Sequence, residues 1–311
     1  QHLFARQGEQ FTFSLDSDFD RGNTGETNIR NFKEHSSLNR DIYITNFFSE
    51  AGWNAKSEYV LPYSKNGELY FSLSNNFKPD NNLMVFDTLD TELNQRFIDS
   101  IRSERRDFGR NISSAMVILQ QRWGNFTFKP GLELENAYIT ARYYRFRPGE
   151  GDTSKDFLFF KPSLHLSYRT ASMHNFFLSY TRRNTVDWVR NFTERINYSE
   201  ESMSTGNPDL LPTTTDVFEG GWAKYWDGFG SVSVKGYYKN SKDNINTVTE
   251  SIFSPIIGRT ISISKPYNIG KYYDAGFEFN LTYRPNAMLN IRLDANIYDS
   301  FLKTEYKDET E

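Results

Sequence analysis

The stretch GFEFNLTYR, Gly276–Arg284, alternates strictly between apolar and polar side chains. Its odd positions from Phe277 to Tyr283 are apolar or aromatic, and its even positions from Glu278 to Arg284 are polar or charged. The stretch LNIRLDANI at 289–297 repeats this pattern. Because successive side chains of a strand point to opposite faces, both stretches predict β-strands with one apolar and one polar face.

The same alternation recurs along the chain, in ELYFSLSNNF (68–77), NFTFKPGLELE (125–135) and SLHLSYR (163–169). From 260 to 284 it continues with few lapses, which predicts a single strand of about 80 Å at ~3.3 Å per residue. A soluble β-sandwich also has alternating strands, but its strands usually have only about 3 to 10 residues. We therefore predict an all-β fold, a large antiparallel up-and-down transmembrane β-barrel.

Short and long connections alternate between the predicted strands, which is typical of outer-membrane barrels. Long polar connections are predicted at 20–39, 78–111, 147–156, 185–213 and 250–259. Eleven strands are predicted at 9–20, 39–61, 67–78, 111–123, 125–147, 157–169, 174–184, 213–226, 229–250, 259–284 and 287–306. The second needs a β-bulge near Ala51–Gly52, where the alternation changes phase. Eleven is half of the roughly 22 strands of large plugged transporters, so residues 1–311 are predicted to form one partial barrel domain.

Composition excludes several classes of protein. The chain has 311 residues and a formal net charge of -4, so bulk electrostatics do not attract it to nucleic acid. It contains no cysteine, which removes thiolate chemistry and cysteine-based zinc sites. Aromatic residues make up 16% of the chain although hydrophobic residues reach only 37%, a balance that favours side chains at a membrane interface.

One motif points to a family. The segment GNPDLLP, Gly206–Pro212, resembles the G-N-P-x-L-x-P-E signature in the barrels of TonB-dependent outer-membrane transporters. LSYTRR at 178–183, VFEGGWAKYW at 217–226 and YYKNSKDNI at 237–245 resemble the strands on either side of that signature. Leu211 and Thr213 depart from the pattern, since Lys and Glu are common at these positions. The signature residues carried over by this resemblance are Gly206, Asn207, Pro208, Leu210 and Pro212.

Two roles remain open for the signature. Each proline fixes its own φ and favours extended backbone in the residue before it, which would guide a long external loop back into a strand. Direct contact with a ligand is the alternative. The resemblance further implies a folded plug in the lumen and a short segment that engages an energy-coupling periplasmic partner. We find neither within this sequence, and we expect the chain to begin after the plug.

The polar strand faces supply the candidate ligand contacts. In a barrel these faces line the lumen, and the candidates there and in the loops are Lys129, Glu133, Glu135, Arg145 and Arg284. The ordinary alternative is a hydrophilic wall in which Lys129 and Arg284 balance the two glutamates. No cofactor is expected. The four histidines form no metal-binding motif, and the nearest two are His165 and His174.

Two loop features suggest contacts outside the barrel. Leu89, Leu93, Phe97 and Ile101 recur every four residues, which predicts a short helix after Asp87 or Thr88. This helix would form a lid or a docking site for a surface lipoprotein, or would simply pack within its own loop. The cluster Arg142, Arg145 and Arg147 would meet lipopolysaccharide phosphates or an anionic substrate, or would be a solvated strand end.

These features rank three hypotheses for function. The first is a transporter-like barrel in the outer membrane of a Gram-negative bacterium, surrounded by lipid and lipopolysaccharide, for energised uptake of a scarce nutrient. The second is a barrel scaffold in a surface, secretion or biogenesis assembly that transports nothing. The third, an outer-membrane enzyme, is disfavoured because no nucleophile, base and orienting group can be assembled from motifs.

Overall fold

The computed structural model describes residues 2–3, 6–30, 40–90, 95–98, 103–145, 152–186, 189–192, 197–198, 202–254, 259–286 and 288–303. These residues form β-strands almost throughout. The strands are β1 (His2–Leu3), β2 (Gln10–Arg30), β3 (Arg40–Ser64), β4 (Gly67–Asp90), β5 (Gln95–Ile98), β6 (Glu104–Trp123), β7 (Phe126–Arg145), β8 (Thr153–Arg169), β9 (His174–Thr185), β10 (Asn197–Tyr198), β11 (Ser202–Ser204), β12 (Thr213–Trp226), β13 (Gly230–Lys242), β14 (Ile245–Ser254), β15 (Arg259–Asn268), β16 (Lys271–Asn286) and β17 (Leu289–Lys303).

Eleven long strands form one up-and-down sheet, which we call the wall. Their order is β2-β3-β4-β6-β7-β8-β9-β12-β13-β16-β17, with β1 at one edge and β5 paired to β4. Every neighbouring pair is antiparallel. Short turns join the strands at one end of the wall and longer connections join them at the other. The predicted all-β, antiparallel, up-and-down architecture is therefore confirmed as an open sheet with the strand number of half a large barrel.

The register places apolar and polar residues on opposite faces of the wall. Phe277 pairs with Ile297 and Leu281 with Leu293, and on this face Phe277 is 68% exposed, Leu293 52% and Ile297 77%. Glu278 pairs with Asn296 on the opposite face. Exposed apolar side chains over a whole sheet face are expected only where lipid, rather than water, covers them. We call the two sides the apolar face and the polar face.

Two predicted strands are each interrupted in the structure. The predicted strand 259–284 is β15 and β16, separated at Ile269–Gly270, and the predicted strand 229–250 is β13 and β14, separated at Asp243–Asn244. Gly270 has φ +82° and Asp243 has φ +57°, and this left-handed backbone ends a strand. Each break spans two residues, so the alternation continues in phase across it. The prediction of one strand of about 80 Å was wrong for this reason.

The predicted helix after Asp87 or Thr88 is also wrong. β4 continues to Asp90, and β5 pairs antiparallel with it through Asp87↔Ile98 and Asp90↔Gln95. Residues 91–94 and 99–102 lie outside the described part of the chain. A short isolated helix is marginal in water, whereas strand pairing on an existing edge satisfies the backbone groups directly. The only helical turn among the described residues is a 3-10 turn at Val189–Phe192, and none of their helices is long and apolar enough to span a membrane.

Other boundaries of the wall differ from the expectation. No bulge occurs at Ala51–Gly52, because Glu50↔Asp80 and Trp53↔Phe77 share one register and β2 pairs with β3 without interruption there. A register shift between β3 and β4 lies instead between Pro62 and Ser64, next to the turn. Much of the predicted loops 20–39 and 78–111 is strand, since β2 reaches Arg30, β4 reaches Asp90 and β6 begins at Glu104.

A second sheet stands at the long-loop end. Its order is β10-β11-β15-β14, in which β11 runs parallel to β15 and the other pairs are antiparallel. The hairpin β14–β15 is the continuation of β13 and β16 beyond their breaks, and the amide of Ile269 donates to the Asn244 carbonyl at 2.7 Å across it. This sheet and the segment 205–212 form a unit that we call the cap.

Candidate functional site

The polar face carries ion pairs that join neighbouring strands. Lys235 on β13 lies between Glu219 on β12, at 3.2 Å, and Glu278 on β16, at 3.0 Å. Further along, Lys239 reaches Asp274 at 2.9 Å. These side chains are only partly exposed. Each ion pair joins two strands and gives both charges a partner of opposite sign.

The candidate ligand contacts lie at different levels of the polar face. Glu135 pairs with Lys161 at 2.6 Å, so its counterion is a neighbour on β8 rather than the expected Lys129 or Arg284. Glu133 is the ladder partner of Lys161, and Lys129 is the ladder partner of His165. These groups of β7 and β8 therefore form one local patch.

The two arginine candidates lie away from this patch. Arg284 is near the short-turn end of β16, where its Nε donates to Asn290 Oδ1 at 3.1 Å. Arg145 ends β7 opposite Glu104, at the long-loop end. The structure therefore does not bring the five candidate contacts into one site, and their role in ligand binding stays a prediction.

The predicted arginine cluster at the end of β7 is divided. Arg142 is exposed and is the ladder partner of Asp107, whose carboxylate accepts a hydrogen bond from Arg105 at 2.9 Å. That hydrogen bond raises the pKa of the Arg105 guanidinium, which therefore keeps its charge. Arg147 lies outside the described residues.

The signature segment turns inward at the long-loop end. Leu210 is 1% exposed and packs with Phe192 and Ile139, and Phe157 borders the cluster. The Phe157 and Phe192 rings are 5.9 Å apart. Ile139 and Phe157 occupy polar-face positions of β7 and β8. The cap therefore covers the polar face at the long-loop end and packs against it through a small apolar core.

Asn207 holds the signature segment in this position. Its side-chain amide donates to the Pro266 carbonyl at 3.1 Å, its Oδ1 accepts from the Asp209 amide at 3.0 Å, and its own backbone amide donates to the Asn191 carbonyl at 2.7 Å. Asn207 is 7% exposed, and buried amides are satisfied in this way in folded proteins. Pro212 follows, and β12 begins at Thr213.

A second asparagine joins the two long connections of the cap. The Oδ1 of Asn268 accepts from the Leu211 amide at 2.7 Å, and its Nδ2 donates to the carbonyls of Leu211 and Asp243 at 2.8 and 2.7 Å. Thr213 donates to the same Asp243 carbonyl at 3.1 Å. The segments 205–212 and 243–270 are thereby fastened into one body.

Aromatic rings mark two levels on the apolar face. Towards the long-loop end, rings of Tyr180, Phe218, Tyr238 and Tyr273 follow one another across four strands at 4.9, 6.5 and 6.4 Å. Tyr283 lies near the turn of the same strand as Tyr273, about ten residues away. For strands tilted by about 40°, this separation corresponds to a height of about 25 Å, the height of the apolar band of outer-membrane barrels.

Paired polar groups begin at the upper aromatic level. Arg182 donates to both carboxylate oxygens of Asp216, at 2.8 and 3.1 Å, and the Tyr180 hydroxyl donates to the same carboxylate at 2.7 Å. On the other half of the wall, Asn75 donates to Asn111 and Ser113 at 2.7 and 2.9 Å. These groups satisfy one another where the wall leaves the apolar band.

Metal binding finds no support in the part of the chain that the structure describes. No group of three or more carboxylate and histidine side chains there is placed to hold an ion. His165 instead stacks on Phe177, with ring centroids 6.2 Å apart, and His174 stacks on Trp222 at 5.7 Å. His35 lies outside the described residues.

Sequence reasoning missed the residues that hold the site together. Lys161 and Lys235 occupy polar positions of predicted strands. Their ion pairs could have been predicted if the register of the neighbouring strands had been known. Asn268 had no such signal, because its partners Leu211 and Asp243 are distant in sequence and belong to different segments.

Comparison with known proteins agrees with this architecture. The family model described as "Outer membrane protein beta-barrel family" matches residues 2–311. No curated protein matches the chain. Its solved structural neighbours include TonB-dependent receptor barrels, with low sequence identity throughout.

Three of these neighbours illustrate the likeness. The ferric yersiniabactin uptake receptor FyuA from Yersinia pestis has a TM-score of 0.61 at 11% identity, over 96% of this chain and 41% of the receptor. The ferric citrate transporter FecA scores 0.59 at 11% identity, over 96% and 41%. The RagAB peptide transporter scores 0.59 at 13% identity, over 97% and 35%.

The chain spans less than half the length of each of these neighbours. At such identities the likeness concerns the fold, namely the barrel wall. The family model, in contrast, covers nearly the whole chain. The chain therefore belongs to the outer membrane protein beta-barrel family, and its place is the outer membrane of a Gram-negative bacterium.

Proposed function

We propose that the chain is part of the barrel of a TonB-dependent receptor that takes up a scarce nutrient with energy delivered from the periplasm. The observation that carries the proposal is the cap. Leu210 and Phe192 pack against the polar face of β7 and β8 instead of standing away from the wall. External loops that turn in over the lumen can form a closed site for a ligand above a plug.

The remaining parts of such a receptor would come from elsewhere in the same protein. Further strands would close the barrel beyond β2 and β17, and a plug and a coupling segment would complete the receptor. In this proposal residues 1–311 contribute one partial barrel domain. The protein carries out no covalent chemistry, and the structural neighbours that support this are receptors and transporters.

The ligand would be held by the cap and by polar-face side chains below it. The patch of Lys129, Glu133, Glu135 and Lys161 offers both signs of charge to a polar solute. Arg145 is the further candidate at the upper end of β7, and Arg284 the candidate near the periplasmic turns. An energy-coupling periplasmic protein is the expected partner, and a surface lipoprotein and lipopolysaccharide are expected at the outside.

The test is uptake by the full-length protein in cells. A strain lacking the protein and a complemented strain would be compared for accumulation of ferric citrate, copper ions and fluorescent oligopeptides, with and without an uncoupler. We expect accumulation of one of these that requires both the protein and the proton motive force. Normal barrel assembly with no protein-dependent uptake of any probe would contradict the proposal and favour a barrel scaffold.

Leu210 provides a sharper control for the role of the cap. Leu210→Ala should loosen the cap and reduce uptake, whereas Leu211→Ala next to it should leave uptake unchanged because Leu211 is 53% exposed. Equal uptake by both variants would show that the cap does not take part in transport.

A further inference from the structure

A cationic group lies on the apolar face close to the short turns. Lys224 is on β12 just before the turn Asp227–Gly228, and its ladder partner on β9 is His174. Trp222 and Trp226 lie on the same face of β12, two residues before and two residues after Lys224. We call Lys224, His174 and the two tryptophans the Lys224 cluster.

The contacts within the cluster fix the ammonium group. Trp222 Nε1 donates to His174 Nδ1 at 3.0 Å, and Lys224 Nζ lies 3.1 Å from His174 Nε2. Lys224 also donates to the Ser172 carbonyl. Its Nζ is 6.0 Å from the centre of the Trp226 ring, within the range of a cation–π contact. The lysine is therefore positioned rather than freely moving in solvent.

None of these contacts neutralises the charge. Within the described residues, the ammonium meets a carbonyl, an imidazole and an indole, and no carboxylate. At the opposite border of the apolar face, by contrast, the charge of Arg182 is neutralised, since Arg182 donates to both carboxylate oxygens of Asp216. The charge of Lys224 is therefore complementary to an anion that comes from outside the chain.

The surroundings indicate what that anion is attached to. Tryptophan rings sit at the level of lipid head groups, which places Lys224 beside the phosphates of the periplasmic leaflet. Towards the middle of the membrane, Gly220 follows Trp222 on the apolar face of β12 and opens onto a groove of about 550 Å³. Gly236 forms its floor with Gly220, and Leu178 and Phe277 are at its sides.

We propose that the Lys224 cluster binds the phosphate of an anionic glycerophospholipid of the periplasmic leaflet, with an acyl chain of that lipid lying in the groove over Gly220 and Gly236. The site does not depend on transport. It depends only on the wall being in a bilayer, and it gives this part of the wall a fixed lipid at its periplasmic border.

Native mass spectrometry of the full-length detergent-purified protein, titrated with phosphatidylglycerol, tests the proposal. Lys224→Gln should reduce the affinity for phosphatidylglycerol about fivefold, the effect of one basic residue near an anionic lipid surface. Lys224→Arg should restore it. Lys242→Gln makes the same change of charge on the apolar-face side of β13 at the other border, and it should leave the affinity unchanged.

Two results would overturn the assignment. The first is equal affinity of the wild type and Lys224→Gln for phosphatidylglycerol. The second is displacement of phosphatidylglycerol by inorganic phosphate at similar concentrations, which would mean that the cluster recognises a free anion and that the groove is not used. Weak binding of phosphatidylcholine, whose head group has no net charge, is the further result expected for the proposed site.

Discussion

The wall and the cap are both made of β-strands, but different interactions hold them. In the wall, neighbouring strands form continuous backbone ladders, as in β3 and β4, which pair from Ile42↔Thr88 to Ser64↔Gly67. In the cap, side chains of Asn207 and Asn268 donate hydrogen bonds to carbonyls 57 to 59 residues away. The wall is thus a repeated local structure, and the cap is a single assembly of distant segments.

Substitutions in the wall and in the cap should therefore destabilise the protein in different ways. A substitution in the wall acts through one of two faces, and its cost depends on whether lipid or the lumen meets the new side chain. A substitution in the cap acts through a few specific bonds and one small apolar core. We therefore expect the wall to survive loss of the cap, whereas the cap cannot form without the wall beneath it.

Among the substitutions considered, one in the apolar core of the cap should cost the most stability. Leu210→Ala removes a side chain that is 1% exposed, which should cost about 2 to 5 kcal/mol of local stability. In limited proteolysis of the full-length protein, the protease should then cleave within 186–212 much faster. The barrel should still fold, as shown by a normal heat-dependent shift of its migration in gel electrophoresis. Leu211→Ala is the matched control. Loss of barrel migration in Leu210→Ala would show that wall and cap are not separable.

The next effect distinguishes the two faces of the wall. Phe277→Arg places a cation on the apolar face, where a lipid-facing charge costs about 2 to 4 kcal/mol near the middle of the bilayer. Asn280→Arg on the polar face of the same strand should cost much less. Urea unfolding midpoints in lipid vesicles would measure both. A larger loss for Asn280→Arg than for Phe277→Arg would reverse the assignment of the faces.

A smaller effect is expected from neighbouring glycines of β12. A Cβ at Gly221 would lie 2.6 Å from the Val234 carbonyl oxygen and 2.7 Å from the Phe177 ring, whereas one at Gly220 would meet Leu178 at an ordinary 3.5 Å. Gly221→Ala should therefore cost about 1 to 3 kcal/mol through overpacking. Gly220→Ala should change the same unfolding midpoint little, and equal losses would contradict this close packing.

The smallest effect is expected at Asn268. Asn268→Ala removes three hydrogen bonds within the cap, but water reaches this site and can replace them, so the net cost should be about 1 kcal/mol. Amide hydrogen exchange at Leu211 should rise. Asn246→Ala removes only one long bond, at 3.4 Å to the Ile269 carbonyl, and serves as the control. Unchanged exchange at Leu211 would mean that Asn268 does not fasten the two segments.

The wall could be predicted from the sequence because its code is local. Alternation such as that of Phe277 to Arg284 reports which face is apolar without any knowledge of the neighbours. The same alternation also misled at Ile269–Gly270, because a two-residue break keeps its phase. The apolar residues from Leu89 to Ile101 are spaced as in a helix and led to a wrong helix prediction. In the structure, pairing of β5 with β4 overrides this local preference.

The cap could be predicted only in part. Gly206 to Pro212 could be recognised as a unit because its residues are adjacent in the sequence. The position of that unit could not, since it depends on Asn268 and on the apolar core with Phe192 and Ile139, which come from three other segments. The ion pair of Glu135 with Lys161 was missed for a related reason, since it requires the register of β7 and β8.

A wall that crosses a bilayer must turn its apolar face towards lipid and its polar face towards water. The chain has no cysteine, so single cysteines at positions 277–282 of β16 can be labelled with bimane in the reconstituted full-length protein. We predict that phospholipids with brominated acyl chains quench the label at odd positions, from Phe277 to Leu281, and leave it bright at even positions, from Glu278 to Thr282. Equal quenching at both sets, or no quenching at either, would show that the apolar face of the wall is not the face in contact with lipid.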